Sequence, residues 1–393
     1  MYDYLIIGNG ISGLSAAEEI RKNDPKGSIL IVSDEHGLTY WRTRLSELIE
    51  KDYTDEEILV KKENWYQEKN IEVKLDTHIE KIDKENKKAI GKDGAEYEYG
   101  KLLIATGSHA FVPPIKNADA EGVFAIRSSD DLKHFKEYLN DKKKLIIIGG
   151  GILGLEAANS ISHLGIEITI VEAFDYLLAR QLDKGLSQKL EKALNEMGMK
   201  TLTGKFSEEI LVKDGKVCGL KLTDGTELVA DAIMIQAGVR ANIEIATNSN
   251  IPTDRGILVG ENLQVENEDI YAAGDVAQIG NFSIGLWTAS MEMGKIAGSN
   301  MTGDNKLYEQ PKPFSTLMLG DIKLFSAGQN AGDGIEEVKK EDGEKIYKLF
   351  KNGDKFVGGI LWGDIKYQMD VKKIVFEGVD PKETKLGSEI FDL

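Results

Sequence analysis

Short apolar runs along the chain are each followed by a glycine-rich turn and then by a helical pattern. The first run, residues 4–7 (YLII), is continuous rather than alternating, which is typical of a strand buried on both faces of a parallel sheet. The chain then enters a helical pattern at Ser15, and residues 27–34 (GSILIVSD) read as a second strand. The chain therefore opens with a strand–helix–strand unit.

The turn in this unit has the glycine spacing of a dinucleotide-binding fingerprint, with Gly8, Gly10 and Gly13 between a strand and a helix. The first glycine allows the tight turn, the second lets the backbone approach a pyrophosphate, and the third allows close packing of helix on strand. The free N–H groups and positive dipole end of the helix can then hold phosphates. We include Ser12, within this turn, in the predicted site.

An acidic pair follows the second strand. Asp34 stands about where a carboxylate binds an adenosine ribose in such folds, and Glu35 is the neighbouring candidate. A polar strand end would explain either residue equally well in isolation. Because a complete glycine fingerprint precedes them, we favour the ribose-binding interpretation.

The opening pattern then recurs. Residues 143–161 (KKLIIIGGGILGLEAANSI) repeat the strand, turn and helix, with Gly149, Gly151 and Gly154 in the same spacing. Residues 167–172 (EITIVE) repeat the second strand, and the late segment 224–239 parallels 93–108. A repeat of this length indicates a duplicated nucleotide-binding domain and not a solenoid.

The remaining segments are less regular. Residues 36–49 (HGLTYWRTRLSELI) predict a loop leading into a helix, and residues 73–94 predict a small antiparallel insert. Residues 262–276 contain a buried strand that ends in Gly-Asp. Residues 314–328 and 345–363 predict antiparallel strands of an α+β segment, and Lys-Asn-Gly-Asp at 351–354 is a hairpin turn.

The composition of the chain limits which kinds of partner it is expected to bind. A net charge of -17 and a pI near 4.9 argue against nucleic acid and against anionic membrane surfaces. The 393 residues include neither a long apolar stretch nor a basic leader, so we expect a cytoplasmic protein with no signal peptide or membrane anchor.

The single cysteine, Cys218, excludes an internal disulfide and a Cys-x-x-Cys metal site. It falls in a predicted hairpin (KVCGLKLTDG, 216–225), where we interpret it as a small buried apolar residue. The five histidines are scattered and no two have ligand spacing on a helix, so we predict no protein-bound metal.

The two fingerprints, the Ala-Thr-Gly at 105–107 and the Tyr-Ala-Ala-Gly-Asp at 271–275 together resemble the pyridine nucleotide–disulfide oxidoreductase superfamily. The resemblance covers residues 1 to about 305. It implies an α/β fold in which a Rossmann-like FAD domain contains an inserted Rossmann-like NADH domain, followed by a small α+β C-terminal domain. The corresponding domain boundaries are 1–110 and 241–305 for FAD, 111–240 for NADH, and 306–393 for the C-terminal domain.

The same resemblance implies further contacts to a tightly but non-covalently bound FAD. Asp275 would bind the ribityl chain, Arg127 the adenine half, and Trp287 would flank the flavin ring. A surface charge explains Arg127 about equally well, and Trp287 could also be a core residue. The other residues placed at the cofactors by this resemblance are Arg42, Thr106, Gly107, Gly238 and Gly274.

The chain departs from the disulfide reductases of that superfamily. Residues 36–49 contain no cysteine, and no histidine follows His163, so the dithiol and the catalytic base of those enzymes are both missing. The absent cysteine also removes a cysteine sulfenate as a redox group. What remains resembles the branch that passes electrons from flavin to rubredoxin or a similar small iron–sulfur protein.

This chain also differs from many members of that branch. Many members have prolines where this chain has Thr43 and Arg44, and a lysine where it has Glu47. In those members the lysine pairs with a glutamate placed like Glu156. Two carboxylates cannot form this pair, and if they were close they would repel each other and raise one pKa.

Two acids define the predicted chemistry of the second fold. Glu172 ends its ribose strand, where a carboxylate accepts hydrogen bonds from the 2′-hydroxyl of NADH and repels the 2′-phosphate of NADPH. Glu156 follows the last glycine, where an acid can be stabilised by the helix dipole. The resemblance implies instead a contact beneath the nicotinamide, which we favour because the equivalent position in the first fold is Ser15. Glu156 is our only catalytic candidate.

The partner is predicted to dock near Arg42, Arg44 and the C-terminal domain, although these arginines could equally be structural. Other acceptors remain open, namely ferredoxin, an oxygenase component or dioxygen. An alternative of another class is a weakly redox-active flavoprotein that mainly binds a partner. Because the C-terminal domain supplies no catalytic base, we expect a monomer or weak dimer.

Overall fold

The computed structural model describes residues 1–266, 269–281 and 285–392. The chain divides into two compact units. The first comprises Met1–Arg44, Asp52–Phe111 and Gly238–Pro311, and the second comprises Leu45–Lys51, Val112–Ala237 and Lys312–Leu393. A unit can hold more than one domain, so the domain boundaries drawn from the sequence stay predictions.

Strands and helices follow the apolar runs closely. In chain order the strands are β1 Tyr2–Ile7, β2 Ile29–Val32, β3 Ile71–Lys74, β4 Ile79–Asp83, β5 Lys88–Gly91, β6 Glu96–Ile104, β7 Ser108–Ala110, β8 Val123–Phe124, β9 Lys144–Ile148, β10 Glu167–Val171, β11 Lys200–Leu202, β12 Ser207–Lys213, β13 Lys216–Leu222, β14 Glu227–Val229, β15 Ala232–Ile235, β16 Val239–Ala241, β17 Ile257–Val259, β18 Ile270–Ala272, β19 Ala277–Ile279, β20 Phe314–Leu319, β21 Ile322–Gly328, β22 Ile335–Asp342, β23 Lys345–Asn352 and β24 Lys355–Trp362. The α-helices are α1 Ile11–Asn23, α2 Asp55–Ile58, α3 Glu63–Glu68, α4 Ser129–Leu139, α5 Ile152–Ser162, α6 Lys184–Glu196, α7 Glu244–Thr247, α8 Trp287–Met301 and α9 Gln368–Lys372.

The first unit is built on a parallel sheet in the order β3-β2-β1-β6, with β18 on the far side of β6. All four residues of β2 are buried, because a parallel sheet is covered on both faces. Strands β4 and β5 extend the sheet from β6 in antiparallel fashion and form the predicted insert. Residues 267 and 268 of the predicted strand segment 262–276 lie outside the described residues.

The second unit repeats this order as β11-β10-β9-β15, with β8 beside β15, and all of these strands are parallel. The duplicated dinucleotide fold predicted from the glycine repeat is therefore present. A separate antiparallel sheet, β12-β13-β14, packs its apolar face into the core of this region. The α/β fold class is confirmed.

The interpretation of Cys218 was wrong, because its side chain is exposed. Successive side chains of a strand point to opposite faces. In β13 Val217 and Gly219 are buried on one face, and the side chain of Cys218, which points to the other face, is exposed.

The helix expected within residues 36–49 was also wrong. The segment instead forms two short 3₁₀ turns, Arg42–Arg44 and Glu47–Ile49. Before the first turn the backbone is held in a β-type bridge, since the Trp41 N–H donates to the Ile58 carbonyl at 2.8 Å. This extended pairing leaves no room for a continuous helix.

The C-terminal part of the second unit is an antiparallel sheet in the order β20-β21-β24-β23-β22. The hairpin turn predicted at 351–354 is confirmed, because Asn352 pairs with Lys355 across a turn in which Gly353 has φ +59°. One face packs on α9 and on π-helical turns at Lys373–Glu377 and Gly387–Phe391. No helix within the described ranges is long and apolar enough to cross a bilayer.

Candidate dinucleotide sites

The first glycine turn leaves space at one glycine and none at the other two. Gly8 has φ +108°, and a Cβ there would lie 2.2 Å from the Ala105 carbonyl oxygen. A Cβ on Gly13 would lie 2.0 Å from the Gly8 carbonyl oxygen, whereas one on Gly10 would meet nothing within 4 Å. Gly10 is also the N-cap of α1 and no side chain caps it. The open space thus faces free helix N–H groups, which suits a pyrophosphate.

A buried polar cluster supports this turn from within. The Thr39 hydroxyl oxygen lies 2.8 Å from the Asn9 carbonyl oxygen and 3.1 Å from the Tyr66 hydroxyl. These contacts fix the loop between the first two glycines. No motif indicated this cluster, because its members come from three separate segments.

Asp275 stands beside this turn, and serines hold its carboxylate. Gly274 has φ +82°, and a Cβ there would lie 2.7 Å from Ser12 Oγ. Asp275 Oδ2 accepts from Ser108 at 2.7 Å, and Oδ1 accepts from Ser290 at 3.1 Å. Ser12 and Asp275, both predicted, are therefore brought together with two serines that sequence reasoning missed.

Arg42 is engaged by its neighbours. Its Nη2 donates to Glu35 Oε1 at 2.5 Å, and its guanidinium lies 4.9 Å from the Tyr40 ring centroid. Burial opposes the charge, but Tyr40, Glu35 and Asp275 hold the pKa of Arg42 above its usual value. Arg42 is thus a fixed positive charge that acts electrostatically on Asp275.

The end of β6 is pinned to a later segment. The Thr106 hydroxyl donates to the Asn242 carbonyl at 3.0 Å, and the Asn242 side-chain amide donates back to the Thr106 carbonyl at 2.7 Å. Gly107 follows with φ +66°, and Gly238 has φ +101°; a Cβ on either would meet open space. Asn242 is another residue that the motifs did not reveal.

Trp287 begins α8 and stacks on a second tryptophan. The ring centroids of Trp41 and Trp287 are 5.4 Å apart with planes inclined at 29°. Trp41 is 39% exposed, so the pair is not a core contact. Its position next to Arg42 in the chain was the only sequence signal for Trp41.

The two predicted ribose acids of the first fold differ from Glu172 in the second. Asp34 is exposed, with one carboxylate oxygen 3.7 Å from His78 Nδ1, while Glu35 holds Arg42. In both folds the amide of the first glycine donates to a strand-end valine, Val32 or Val171. By that register Glu172 corresponds to Ser33, and the roles of Asp34 and Glu35 stay predictions.

The second glycine turn reproduces the first. A Cβ on Gly149 would lie 2.3 Å from the Gln236 carbonyl oxygen, and one on Gly154 would lie 2.2 Å from the Gly149 carbonyl oxygen. A Cβ on Gly151 would again meet nothing within 4 Å. The same helix-end space is therefore present at the start of α5.

Glu172 turns back onto this loop. Its Oε2 accepts from the Gly150 amide at 2.6 Å, and its Oε1 accepts from the Phe174 amide at 2.8 Å. Each carboxylate oxygen keeps a second lone pair, so the group can still accept from a ribose hydroxyl. These two hydrogen bonds from backbone amides hold the carboxylate beside the turn.

Glu156 lies in α5, two residues after Gly154, and burial raises its pKa above 4.5. The charge of Glu47 is not among the causes of this shift. Among the residues that the structure describes, none forms a hydrogen bond or ion pair with Glu156. A partly buried carboxyl with a raised pKa is a candidate for functional chemistry.

Arg127 lies in the second unit, and its backbone N–H donates to Asp131 Oδ2 at 2.9 Å, where the capping box of α4 begins. Over the described ranges, no group of three or more His, Cys, Asp or Glu side chains could hold a metal ion.

Family models match most of the chain. The model described as pyridine nucleotide-disulphide oxidoreductase matches residues 2–294, and that described as rubredoxin NAD+ reductase C-terminal domain matches residues 313–379.

Curated relatives and a solved structure agree with these matches. A Bacillus subtilis nitrite reductase [NAD(P)H] is 33% identical over 97% of this chain, which spans only 48% of the relative's length. A Clostridium acetobutylicum NADH-rubredoxin oxidoreductase is 32% identical over 94% of this chain and 93% of its own. The crystal structure of NADH:rubredoxin oxidoreductase from the same organism matches with a TM-score of 0.81 and 29% identity, covering 96% of this chain and 95% of that one.

The glycine geometry predicts separable effects on folding and binding. Gly10→Ala and Gly151→Ala place a methyl group in open space, so both variants should fold normally while losing the room for a pyrophosphate. We expect a loss of roughly 10- to 100-fold in dinucleotide affinity, corresponding to an overpacking cost of about 1–3 kcal/mol. Gly10→Ala should lose bound flavin, and Gly151→Ala should retain it but bind NADH poorly, as measured by absorbance and NADH titration.

Gly13→Ala is the matched control, because its methyl group would overlap the Gly8 carbonyl oxygen. It should lower the thermal stability of the protein even without flavin. Full flavin occupancy in Gly10→Ala would contradict the assignment of the first turn.

Proposed function

Because the chain belongs to the pyridine nucleotide–disulphide oxidoreductase family, we propose that it is a flavoprotein that takes hydride from NADH and passes single electrons to rubredoxin or a similar small iron–sulfur protein. The family membership confirms the resemblance found in the sequence. The names of the rubredoxin-reducing relatives and of the C-terminal family model support this acceptor. We further propose that the FAD is bound tightly without a covalent link, and that the protein is a monomer or weak dimer.

One observation carries the proposal. Two glycine turns of the same geometry stand in one chain, and only the first is accompanied by the Asp275 cluster. This arrangement fits a resident FAD in the first fold and an exchanging NADH in the second. The chain has a single cysteine, so no dithiol is available to take the electrons onward.

FAD, when bound, supplies the chemistry that links hydride transfer from NADH to one-electron acceptors. The protein then needs to bind, orient and tune. The α1 N-terminus and Gly10 would receive the pyrophosphate, and Asp275 would accept a hydrogen bond from a ribityl hydroxyl. Arg42 would place a positive charge near this site. Trp287, stacked on Trp41, offers a flat apolar wall for an aromatic ring.

NADH would occupy the second fold. Its pyrophosphate would meet the N-terminus of α5 at Gly151, and its adenosine ribose would donate to Glu172. The side chain is 9% exposed and its carboxylate accepts two backbone hydrogen bonds, so it is held in place. A 2′-phosphate brought next to it would be repelled, which favours NADH over NADPH.

A second acceptor class has support of its own. The nitrite reductase relative is about twice as long as this chain, so a homologous module can deliver electrons within a larger protein. Ferredoxin, an oxygenase component or dioxygen are the other acceptors that this flavin chemistry permits. A weakly redox-active protein that mainly binds a partner would instead show slow reduction by NADH.

The direct experiment uses the purified protein under anaerobic conditions. The protein should carry flavin absorbance that NADH bleaches rapidly and NADPH bleaches slowly. The bleached protein should then be reoxidised fastest by rubredoxin in a panel that includes ferredoxin and dioxygen. A protein that binds no flavin, or whose flavin NADH does not reduce, would contradict the proposal.

The nucleotide preference should depend on Glu172. In Glu172→Arg the carboxylate is replaced by a cation that can pair with a 2′-phosphate, so the ratio of kcat/KM for NADH to that for NADPH should fall at least about tenfold, equivalent to about 1.4 kcal/mol. Steady-state rates with a saturating acceptor measure the ratio. Asp175→Arg is the control beyond the strand end and should shift the ratio less; a wild type that prefers NADPH would refute the assignment.

Glu156 should matter to flavin reduction only. If it contacts the nicotinamide, Glu156→Gln should slow reduction by NADH by about tenfold, equivalent to about 1.36 kcal/mol in the barrier, and leave reoxidation by rubredoxin unchanged. Because burial raises the pKa of Glu156 above 4.5, the wild-type reduction rate should change with pH above that value as the carboxyl ionises, and the variant should lack this change. Glu191→Gln is the matched control, since burial also raises the pKa of Glu191. Equal effects of both substitutions would exclude a specific role.

A further inference from the structure

The loop that follows Glu172, residues 173–183, forms a wall of the second glycine turn. The Leu178 N–H donates to the Gly150 carbonyl at 3.3 Å. Leu177 packs so closely on this turn that a Cβ on Gly150 would lie 2.4 Å from its Cδ2. The amide of Gly150 in turn donates to Glu172. The 173–183 loop therefore supports the residue that positions the carboxylate of Glu172.

This loop contains a strained residue. Leu178 has φ +52°, a left-handed conformation that is unfavourable for a bulky side chain. Such strain persists only where the surrounding structure holds it, and it is often found at ligand-binding sites. Leu177, Leu178 and Leu182 are all buried, so the loop is held by packing as well as by the bond to Gly150.

The C-terminal domain clamps the far end of the loop. The Gln181 carbonyl accepts from Ser326 Oγ at 2.7 Å and from Asn330 Nδ2 at 2.8 Å. Asn330 Nδ2 also lies 2.8 Å from Ser326 Oγ, so the two donors hold each other. Ser326 is 4% exposed and Asn330 is 9% exposed, so water does not compete for these bonds. Removal of both donors would leave the Gln181 carbonyl without these two hydrogen bonds.

An ion pair holds the last residue of the 173–183 loop, Asp183. Lys348, which is 7% exposed at its side chain, places Nζ 2.9 Å from Asp183 Oδ2. Asp183 also caps α6, because its Oδ1 accepts from the Gly185 amide at 2.9 Å. The loop thus ends between a helix start and a strand of the C-terminal domain.

We propose that Ser326 and Asn330 are positioning residues for NADH. Through Gln181 they keep Leu178 in its strained conformation, and Leu178 keeps the Gly150 turn and Glu172 in the arrangement that receives the nucleotide. The inference deepens the proposed function, since it takes NADH as the ligand of the second fold. It gives the C-terminal domain a part in nucleotide binding as well as any part in acceptor docking.

The contacts from Gln181 to Glu172 all lie within the second unit. Loss of the clamp should therefore weaken NADH binding while leaving bound FAD and the rate of hydride transfer in the filled site unchanged. A residue that only stabilised the C-terminal domain would not produce this division between affinity and rate.

The test is a stopped-flow titration of the FAD-loaded double variant Ser326→Ala/Asn330→Ala with NADH. The dissociation constant from the reductive phase should rise about tenfold, equivalent to about 1.4 kcal/mol, with the limiting rate within about twofold of wild type. Amide hydrogen exchange of residues 177–182 should become faster without NADH. Ser326→Thr, which keeps a hydroxyl donor, should retain wild-type affinity. If the double variant does not fold, Ser326→Ala alone is measured in the same way, with the same expected directions.

Tyr367→Phe is the matched control, because it removes the 2.6 Å bond to Glu389 within the same domain. Its NADH affinity should equal that of wild type; an equal loss of affinity there would overturn the inference. So would unchanged affinity and exchange in the folded clamp variant. If Glu172→Arg weakens NADH binding and the clamp variant does not, the inference alone fails. A wild type that NADH does not bleach overturns the proposed function and this inference together.

Discussion

The structure depends on the close approach of a helix to a strand at the two glycine turns. In each fold the third glycine of the fingerprint packs against the carbonyl oxygen of the first. A Cβ on the third glycine would lie only 2.0 or 2.2 Å from that oxygen, so no other residue fits there. This contact sets the angle at which α1 and α5 leave their strands and therefore where their free N–H groups point. Everything proposed for the two nucleotides relies on that direction.

The two folds differ in the groups that hold the carboxylate beside the glycine turn, which is Asp275 in the first fold and Glu172 in the second. In the first fold, side-chain donors converge on Asp275, with Ser108 and Ser290 as hydrogen-bond donors and Arg42 as a charge. In the second fold, backbone amides hold Glu172. Side-chain donors suit a permanent cofactor whose properties are to be tuned. Backbone donors provide a rigid, simple site, which suits a substrate that comes and goes.

Sequence reasoning succeeded where the constraint was local. The glycine turns, the parallel strands and the hairpin at Gly353 follow from φ values and hydrophobic runs that neighbouring residues determine. It failed where contacts with a distant segment determine the local structure. Cys218 is exposed because the segments that pack on its sheet leave it uncovered, and a 3₁₀ turn follows Trp41 because Trp41 pairs with Ile58. Asn242, Ser108 and the Ser326–Asn330 clamp could not be predicted, since each acts on a residue far away in the chain.

We propose that electrons enter the flavin as hydride from NADH and leave it one at a time, because the chain has no dithiol to take them onward. The most direct measurement is the anaerobic stoichiometry of NADH consumed to rubredoxin reduced with catalytic amounts of the protein. We expect about two rubredoxins to be reduced for each NADH consumed, since NADH supplies two electrons and each rubredoxin takes one. NADH consumption without rubredoxin reduction, or reduction of a disulfide substrate in its place, would contradict it.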